Sequence, residues 1–592
     1  MSSDSNKLFH FWQELKRRNV IRVITVYAAS AFVILELVDM ITEPFGLPVW
    51  TFKLVVVILA VGLIVAVILS WIYDINPEGG IVKTEPVYKA KTEDIHKSSN
   101  SWKIASYISF VVIVGLIILH VFSGPGKHKI KDKSIAVLPF KSLSDDPEKQ
   151  YLADGVMESI LFNLSEIDDL RVQARTSVQQ YRNTNKTATD ICYELNVSYI
   201  LEGSFQKYGN KARLIVQLIQ PGIEGQVWSG EYDREWKDIF AVQSEVARSV
   251  ASELQAVITK DEIKMLDKIP TSNLRAYELY LTGRGFWNRW SDEDIIRGME
   301  YFQKAIDLDP GFALAYAGLA NAYNTVSFYS QIDPGKTYPK AREMALKALE
   351  LDPDLAEAYI ALAFVKTYYD WDWNGGEKAF KQAIELEPEN ITAHHLYAYF
   401  LLLETRYDEA MREIRTALSL DPNNLITNRT LGDFYYNMGE YDEAEKQLNK
   451  TLAMDSAFNY AHAYLGLTYL QKSMCNKGLE ELQKELDYGH GTTDVALAWK
   501  GYACGICGDV KQGREILELF LNRSESEYIP PSFLTWICFA LGEDELGFEW
   551  LEKASSDRDP WLVEVNISHF YDGIRTDRRF KDLLKRMGIN DM

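Results

Sequence analysis

The stretch LDPNNLITNRTLGDFYYNMGEYDEAEKQLNKTLAMDS, residues 420–456, decides the fold. It begins with Leu420-Asp421-Pro422 and ends with Met454-Asp455-Ser456. Related tripeptides stand at Leu308-Asp309-Pro310, Leu351-Asp352-Pro353 and Leu386-Glu387-Pro388. In each, a leucine completes an apolar helical stripe and an acid and a proline follow, so one helix closes and the next unit opens. Pro388 to Pro422 and Pro422 to Ser456 each span 34 residues, the length of one helix pair that must stack on its neighbours to bury its apolar face. Within units, Leu431-Gly432 precedes Tyr435 and Ala444, Leu465-Gly466 precedes Tyr469, and Leu319-Ala320 precedes Tyr323. The small residues let paired helices approach and the aromatic fills the space between them. Pro310 to Pro353 spans 43 residues. That spacing places an insertion near SQIDPGKTY (330–338), expected to be an irregular feature of the binding surface.

The period and its internal code resemble tetratricopeptide repeats. Five clear units are expected between about 276 and 456, a sixth to about 490 and two degenerate ones to about 560, giving an all-α array over residues 271–560. The end, residues 561–592, is expected to cap the stack, with Arg575, Asp577, Arg578, Arg579 and Lys581 giving it a polar outer face. The resemblance implies a right-handed superhelix whose concave groove binds protein or peptide segments. Carried over position by position, its groove-facing residues are Asn321, Asn324, Tyr368, His395, Tyr399, Arg429, Asp433 and Tyr436. This mixture suits hydrogen bonding to a peptide backbone. It lacks the regular Lys/Asn/Arg set with which some relatives clamp a C-terminal carboxylate.

Residues 1–125 read as a membrane region. Apolar runs at about 20–40, 54–73 and 105–122 each approach the length of a helix that crosses a bilayer. Further runs follow the first, so a cleaved signal peptide fits poorly. Lys16, Arg17, Arg18 and Arg22 precede or open the first run, and Lys83, Lys89, Lys91, Lys97 and Lys103 lie between the second and third. The positive-inside rule therefore puts the N-terminus in the cytoplasm and residues 126–592 in the periplasm of a bacterial inner membrane, against four lysines in GKHKIKDK (126–133). Glu36 and Asp39 fall near the outer boundary and are expected to reach interfacial water. KLFHFWQELKRRNV (7–20) reads as an interfacial helix.

Between 134 and 260 short strands alternate with amphipathic helices. SIAVLPF (134–140) is a continuous apolar strand, and a helix over about 149–165 follows with Leu152, Val156, Met157, Ile160, Leu161 and Leu164 on one stripe. Gly209-Asn210 between two alternating runs signals a hairpin. The order β-α-β-α-β-β-β-α describes a two-layer α/β domain. The succession SIAVLPF, YLADGVMESIL, LRVQARTSV, YELNVSYILEGSF, VQLI, VWSGEYDRE and IFAVQSEVA resembles the TolB amino-terminal-like domain of bacterial membrane-attached proteins. That resemblance implies an extracytoplasmic binding module. Some of those proteins also carry a cytoplasmic winged-helix or nucleotide-cyclase effector, for which the roughly 19 residues before the first run are too few.

Chemistry is sparse. A net charge of −21 repels nucleic acid, and no basic stripe offsets it. Phosphate-loop, GxSxG and HExxH motifs are missing, so an enzyme is not expected, nor is a cofactor. The acids Asp145, Asp146, Glu148 and Asp154 could line a catalytic mouth, but no His, Lys or nucleophile accompanies them, and they read as a helix start. Cys504 and Cys507 form a CxxC inside a helix and are expected to pack; a disulfide between them would be strained, and no cysteine spacing suits zinc. His394 and His462 share a repeat position and are expected in the core. The expected function is a non-enzymatic membrane-anchored scaffold that presents its groove to envelope proteins. The alternative is a transmembrane sensor that signals to a separate cytoplasmic effector of cyclase or transcription type.

Overall fold

The computed structural model describes residues 133–589, apart from 145–147, 183, 223–225, 289–291, 330–331 and 489–492, together with scattered positions between 20 and 83. The chain forms two compact units, Met1–His128 and Lys129–Met592. In the first unit the described positions within 20–38 and 55–70 are helical, and the Tyr27 hydroxyl donates to the Leu59 carbonyl at 2.9 Å. Strands β1 (Tyr73–Ile75) and β2 (Ile81–Lys83) pair antiparallel. Among the described residues no helix is long and apolar enough to cross a membrane. The run at 105–122, Glu36, Asp39 and most of the segment at 7–20 lie outside the described residues.

In the second unit, β3 (Ser134–Val137) runs parallel to both its neighbours, β5 (Arg171–Val172) and β6 (Tyr199–Tyr208). A short β4 (Lys141–Ser142) extends the pairing with β6. β7 (Lys211–Ile219) and β8 (Trp228–Glu235) complete the sheet antiparallel, in the order β5-β3-β6-β7-β8. The hairpin falls on Gly209-Asn210, where Tyr208 pairs with Lys211 and Gly209 takes φ +59°, a backbone region open to glycine. All four β3 residues are buried, and their alternation shows why. Ile135 and Val137 pack with α1 (Glu148–Ser165) and with Val242, Val246 and Val250 of the 239–253 helix. Ala136 faces a separate cluster with Ile191, Cys192 and Leu195 of the 188–195 helix. The domain is therefore three-layered, not the two-layer arrangement expected from element order. The helices that follow are α2 (Arg175–Val178), α3 (Ala188–Leu195), α4 (Ile239–Glu253) and α5 (Lys260–Leu266).

Eight helix pairs follow among the described residues. They are α6 (Leu274–Trp287) with α7 (Asp292–Leu308), α8 (Ala313–Tyr329) with α9 (Pro334–Leu351), α10 (Ala356–Val365) with α11 (Trp373–Leu386), and α12 (Ile391–Leu403) with α13 (Tyr407–Leu420). Next come α14 (Leu425–Asn437) with α15 (Tyr441–Met454), α16 (Ala461–Gln471) with α17 (Cys475–Tyr488), α18 (Thr493–Cys507) with α19 (Val510–Arg523), and α20 (Pro531–Leu541) with α21 (Asp544–Asp557). A Cβ on Gly432 would meet the Leu448 side chain at 2.6 Å, which is the close approach the small residue permits. The insertion, as far as it is described, does not form an irregular surface loop: residues 334–338 open the second helix of its unit. It lengthens both helices of its unit, to 17 residues in α8 and 18 in α9 against 13 in α12 and 14 in α13. Tyr338 is fully buried and the buried Thr337 hydroxyl donates to Ser327 Oγ at 2.8 Å. In the next unit one extra residue is absorbed as a π-helical turn, Lys366–Asp370, the usual way a helix takes up a single insertion.

His394 and His462 occupy equivalent places, buried as expected but held by polar contacts. Each ring lies 2.6 Å from a glutamate on the partner helix, Glu413 or Glu481, through Nδ1. Each reaches the carbonyl of the preceding turn, Pro388 or Ser456, through Nε2. The unit between them builds the same clasp from amides: Asn428 donates to the Pro422 carbonyl at 2.9 Å, and Gln447 donates to Asn428 Oδ1 at 2.9 Å. Burial pulls the His394 pKa down, but the hydrogen bonds to Glu413 and Pro388 outweigh it and the net shift is upward. A raised histidine pKa gives stability that is complete below pH 6.5 and fades as pH rises through the folded value. Replacing His394→Asn together with Glu413→Gln copies the neighbouring unit. It should remove this pH dependence in urea unfolding at a cost below about 1 kcal/mol, whereas His394→Ala, which empties a buried site and leaves the partly exposed Glu413 without its partner, should cost about 1–3 kcal/mol.

The α/β domain docks along the array's first four units. Gly155 of α1 lies against Leu281 of α6, so close that a Cβ would approach to 2.6 Å, and Ser159 Oγ meets the Tyr277 hydroxyl at 2.7 Å. Glu158 pairs with Arg175 and, at 3.2 Å, with Arg284, which also binds Glu357 at 2.8 Å. Further along, Ser177 donates to Asp421, and Asn424 donates to Thr176 Oγ1 at 2.9 Å. The Leu-Asp-Pro turn at 420–422 thus also anchors the sheet domain.

Candidate peptide groove

The eight candidate groove residues are not a free polar surface. Asn321 and Asn324 tie α8 to α10, donating to the Glu357 carbonyl at 3.3 Å and the Ala361 carbonyl at 3.0 Å. Tyr368 is buried, stacked on Phe364 at 4.0 Å and edge-on to Phe328. His395 reaches Thr430 Oγ1 at 3.0 Å, and burial followed by the nearby Arg429 charge pushes its pKa down to about 3, so it is neutral. The Arg429 guanidinium lies over the Tyr460 and Tyr464 rings.

Of the remaining three, Tyr399 and Asp433 meet a residue that sequence reasoning missed, Glu564. Tyr399 donates to Glu564 at 2.6 Å, and Asp433, fully enclosed beside them, is hydrogen-bonded by Tyr399 and Tyr464. Tyr436 packs its ring edge-on against His569 at 5.1 Å. Residues 560–574 therefore lie in the concave face as two 3-10 turns, Pro560–Asn566 and His569–Ile574. The first touches α8, α12 and the π-turn, and the second touches α20. Trp561 sits among Phe328 (4.3 Å), Phe533 (5.9 Å), Trp536 (6.0 Å) and Trp499 (6.1 Å). Phe570 stacks on Trp536 at 4.6 Å, and the Trp536 indole donates to the Tyr571 hydroxyl at 2.9 Å.

This corrects the expectation that 561–592 as a whole caps the array with a polar face. Trp561, Leu562, Val563, Val565 and Tyr571 are nearly or fully buried, and burial of that much apolar surface drives the strap inward. The cations named for the cap hold it down: Arg575 donates to the Asn566 carbonyl at 2.8 Å and the Ser568 carbonyl at 2.9 Å. α22 (Arg578–Arg586) then packs outside on α21, where Arg579 pairs with Glu545 at 3.0 Å. The apolar content of WLVEV in a segment taken for a polar cap is the signal that could have found the strap.

Burial, and for Asp433 the neighbouring Glu564 charge, push both carboxyls well above the ordinary range, against the opposing pull of Arg429. A proton held in the folded state and released on unfolding makes stability complete below the unfolded carboxylate pKa, and that stability falls as pH rises through the elevated folded values. Tyr399, Tyr464, Arg429 and His395 are the other polar groups of this centre. Hydrogen exchange of residues 561–574 should therefore accelerate between pH 5 and pH 9 beyond the intrinsic rate increase, and Glu564→Gln should flatten the profile.

Asp154 is buried, pairs with Arg182 at 2.8 Å and accepts from Gln150 at 2.7 Å; Asp145 and Asp146 lie outside the described residues. The CxxC cysteines part company. Cys504 packs in the core, but Cys507 is disulfide-bonded to Cys475, with Cα atoms 5.7 Å apart, joining the end of α18 to the start of α17. Cys192, Cys504 and Cys538 are buried thiols whose pKa values burial pushes up to about 12, 11 and 12. Among the described residues no acidic, histidine or cysteine group is arranged to hold a metal ion.

Comparison with known families agrees with the array. A family model described as tetratricopeptide repeat matches residues 401–465. The array thus contains tetratricopeptide repeats. Residues 131–246 match the model of the second domain of HilA/YgeH-like transcriptional regulators. A protein of Rhizobium meliloti (strain 1021) named putative adenylate cyclase 3 is 35% identical over 187 residues, 32% of this chain and 32% of its own length. The chain thus matches about a third of that relative's length. Among solved structures, the array is similar to a chain of the APC/C hetero-tetramer Cut9-Hcn1 (16% identity, 59% of this chain and 63% of that chain, TM-score 0.39). It is also similar to PilF of Pseudomonas aeruginosa (17% identity, 38% and 96%, TM-score 0.28).

Proposed function

We propose that the chain is a non-enzymatic protein-interaction scaffold of the bacterial envelope, anchored by its N-terminal apolar runs with residues 126–592 in the periplasm. The observation that carries this reading is the strap: the concave face binds a non-α-helical chain segment through side chains from α8, α12, α14, α18 and α20. The Cys475–Cys507 bond supports the periplasmic placement, since disulfides persist outside the reducing cytoplasm. A photo-crosslinker in place of Asn321, on α8, should capture a second envelope protein in intact cells. Adducts confined to this chain would reject the scaffold. A phosphatase reporter fused after residue 265 should be active if the placement is right and silent if the array is cytoplasmic.

A second reading has its own support. The partial similarities to a putative adenylate cyclase and to a domain of transcriptional regulators favour a sensor that passes an outer binding event to a separate cytoplasmic effector. Capture of a cytoplasmic protein by residues 1–22 or 74–103 would support it.

A further inference from the structure

We propose that residues Asp559–Ile574 are a tethered ligand of the concave face, and that the partner segment this face accepts shares their chemistry: a tryptophan followed three residues on by a carboxylate, in a short 3-10 conformation. This inference rests on the scaffold reading and specifies its partner.

The chain leaves the repeat ladder at Arg558, whose left-handed φ of +56° ends α21 and whose guanidinium lies 3.7 Å from the centre of the Trp371 ring. From there the backbone is no longer α-helical. Asp559 caps the first 3-10 turn by accepting from Trp561 N, and it accepts from Ser532 N of α20 at 2.8 Å. A 3-10 turn eclipses residues i and i+3, so Trp561 and Glu564 stand on one side of the strap. The receiving groups are assembled from distant parts of the array. Phe328, Trp499, Phe533 and Trp536 box the indole, whereas Tyr399, Asp433 and Arg429 surround the carboxyl. An aromatic anchor in a desolvated box beside a polar centre is the pattern of an interface hot spot. Here it is built within one chain.

The fit is incomplete. The buried indole N–H groups of Trp561 and Trp499 find no acceptor among the described residues. A partner segment that offers an acceptor there has an advantage over the strap, whereas the strap has the advantage of being tethered at high effective concentration. The site thus favours a partner that is abundant, or better matched, over a weak one. Nothing in it reads a free C-terminus, since the strap enters from Arg558 and continues into α22.

The test uses the full chain in detergent and a fluorescein-labelled synthetic peptide of residues 557–576. The chain carrying Trp561→Ala, which loosens the strap and leaves the receiving side chains in place, should bind the peptide at least tenfold more tightly than the unaltered chain. Peptides with alanine at the place of Trp561, or at that of Glu564, should lose binding at least tenfold. Hydrogen exchange of the unaltered chain should show amides 561–574 opening separately from α14 and α16. Strap amides that exchange only together with those helices, or a Trp561→Ala chain that keeps its helical circular dichroism but binds no peptide, would overturn the proposal. The probe comes from this chain, so strap exchange without capture of an envelope protein from position 321 would sink the scaffold reading alone.

Discussion

Trp561→Ala should destabilise the tetratricopeptide unit by about 4 kcal/mol, the usual range for removing a large aromatic from an enclosed site. Trp561 is 4% exposed and touches four aromatic rings drawn from α8, α18 and α20. Its loss leaves a cavity that none of them can fill by a rotamer change, because Trp499 and Trp536 are themselves almost fully buried. Trp561→Phe keeps part of the contact and should cost about half as much. The array's helices do not depend on the strap for their own hydrogen bonds. The variant should therefore keep its far-ultraviolet circular dichroism at low temperature and show the loss as an earlier urea midpoint and faster exchange of residues 561–574. A loss below about 1 kcal/mol would mean that the aromatic box does not hold the strap.

The repeat was legible because one periodic pattern recurs, so each unit checks the others: Gly432 and Gly466 both sit where a helix must pass closely. The sheet order was half legible. Alternation and Gly209-Asn210 announce the hairpin, but the burial of SIAV on both faces, visible as an unbroken apolar run, was not carried through to a third layer. The groove residues were chosen by their place on the first helix of each unit, and Tyr399, Asp433 and Tyr436 there meet the strap through Glu564 and His569. Their occupant was hidden because two 3-10 turns have no period to detect and Trp561 contacts residues as far back as Phe328. Partners that lie apart in sequence were missed for the same reason: Asp421 with Ser177, and Cys507 with Cys475 in place of the nearer Cys504. The insertion near 330 was misread because a longer helix pair and a longer loop leave the same gap between Leu-Asp-Pro turns.

Reduction of Cys475–Cys507 should lower the stability of the full chain by about 3–4 kcal/mol, the chain-entropy value for a closed loop of some 30 residues. The bond spans 32 positions and fastens the first residue of α17 to the last of α18. In the unfolded chain it forbids that loop its extended states; in the folded chain the two helix ends already meet. Urea unfolding with and without reductant measures the difference, and Cys475→Ala with Cys507→Ala should remove any response to reductant. A control lies in the other three thiols. Cys192, Cys504 and Cys538 are buried and their pKa values are raised, so the folded protein should resist maleimide at pH 7 and gain two reactive thiols on gentle reduction. The same labelling on acid-quenched cells reports the compartment. A periplasmic array should label at those two positions only after reduction, whereas an array in the cytoplasm should label without it and would overturn the proposed topology.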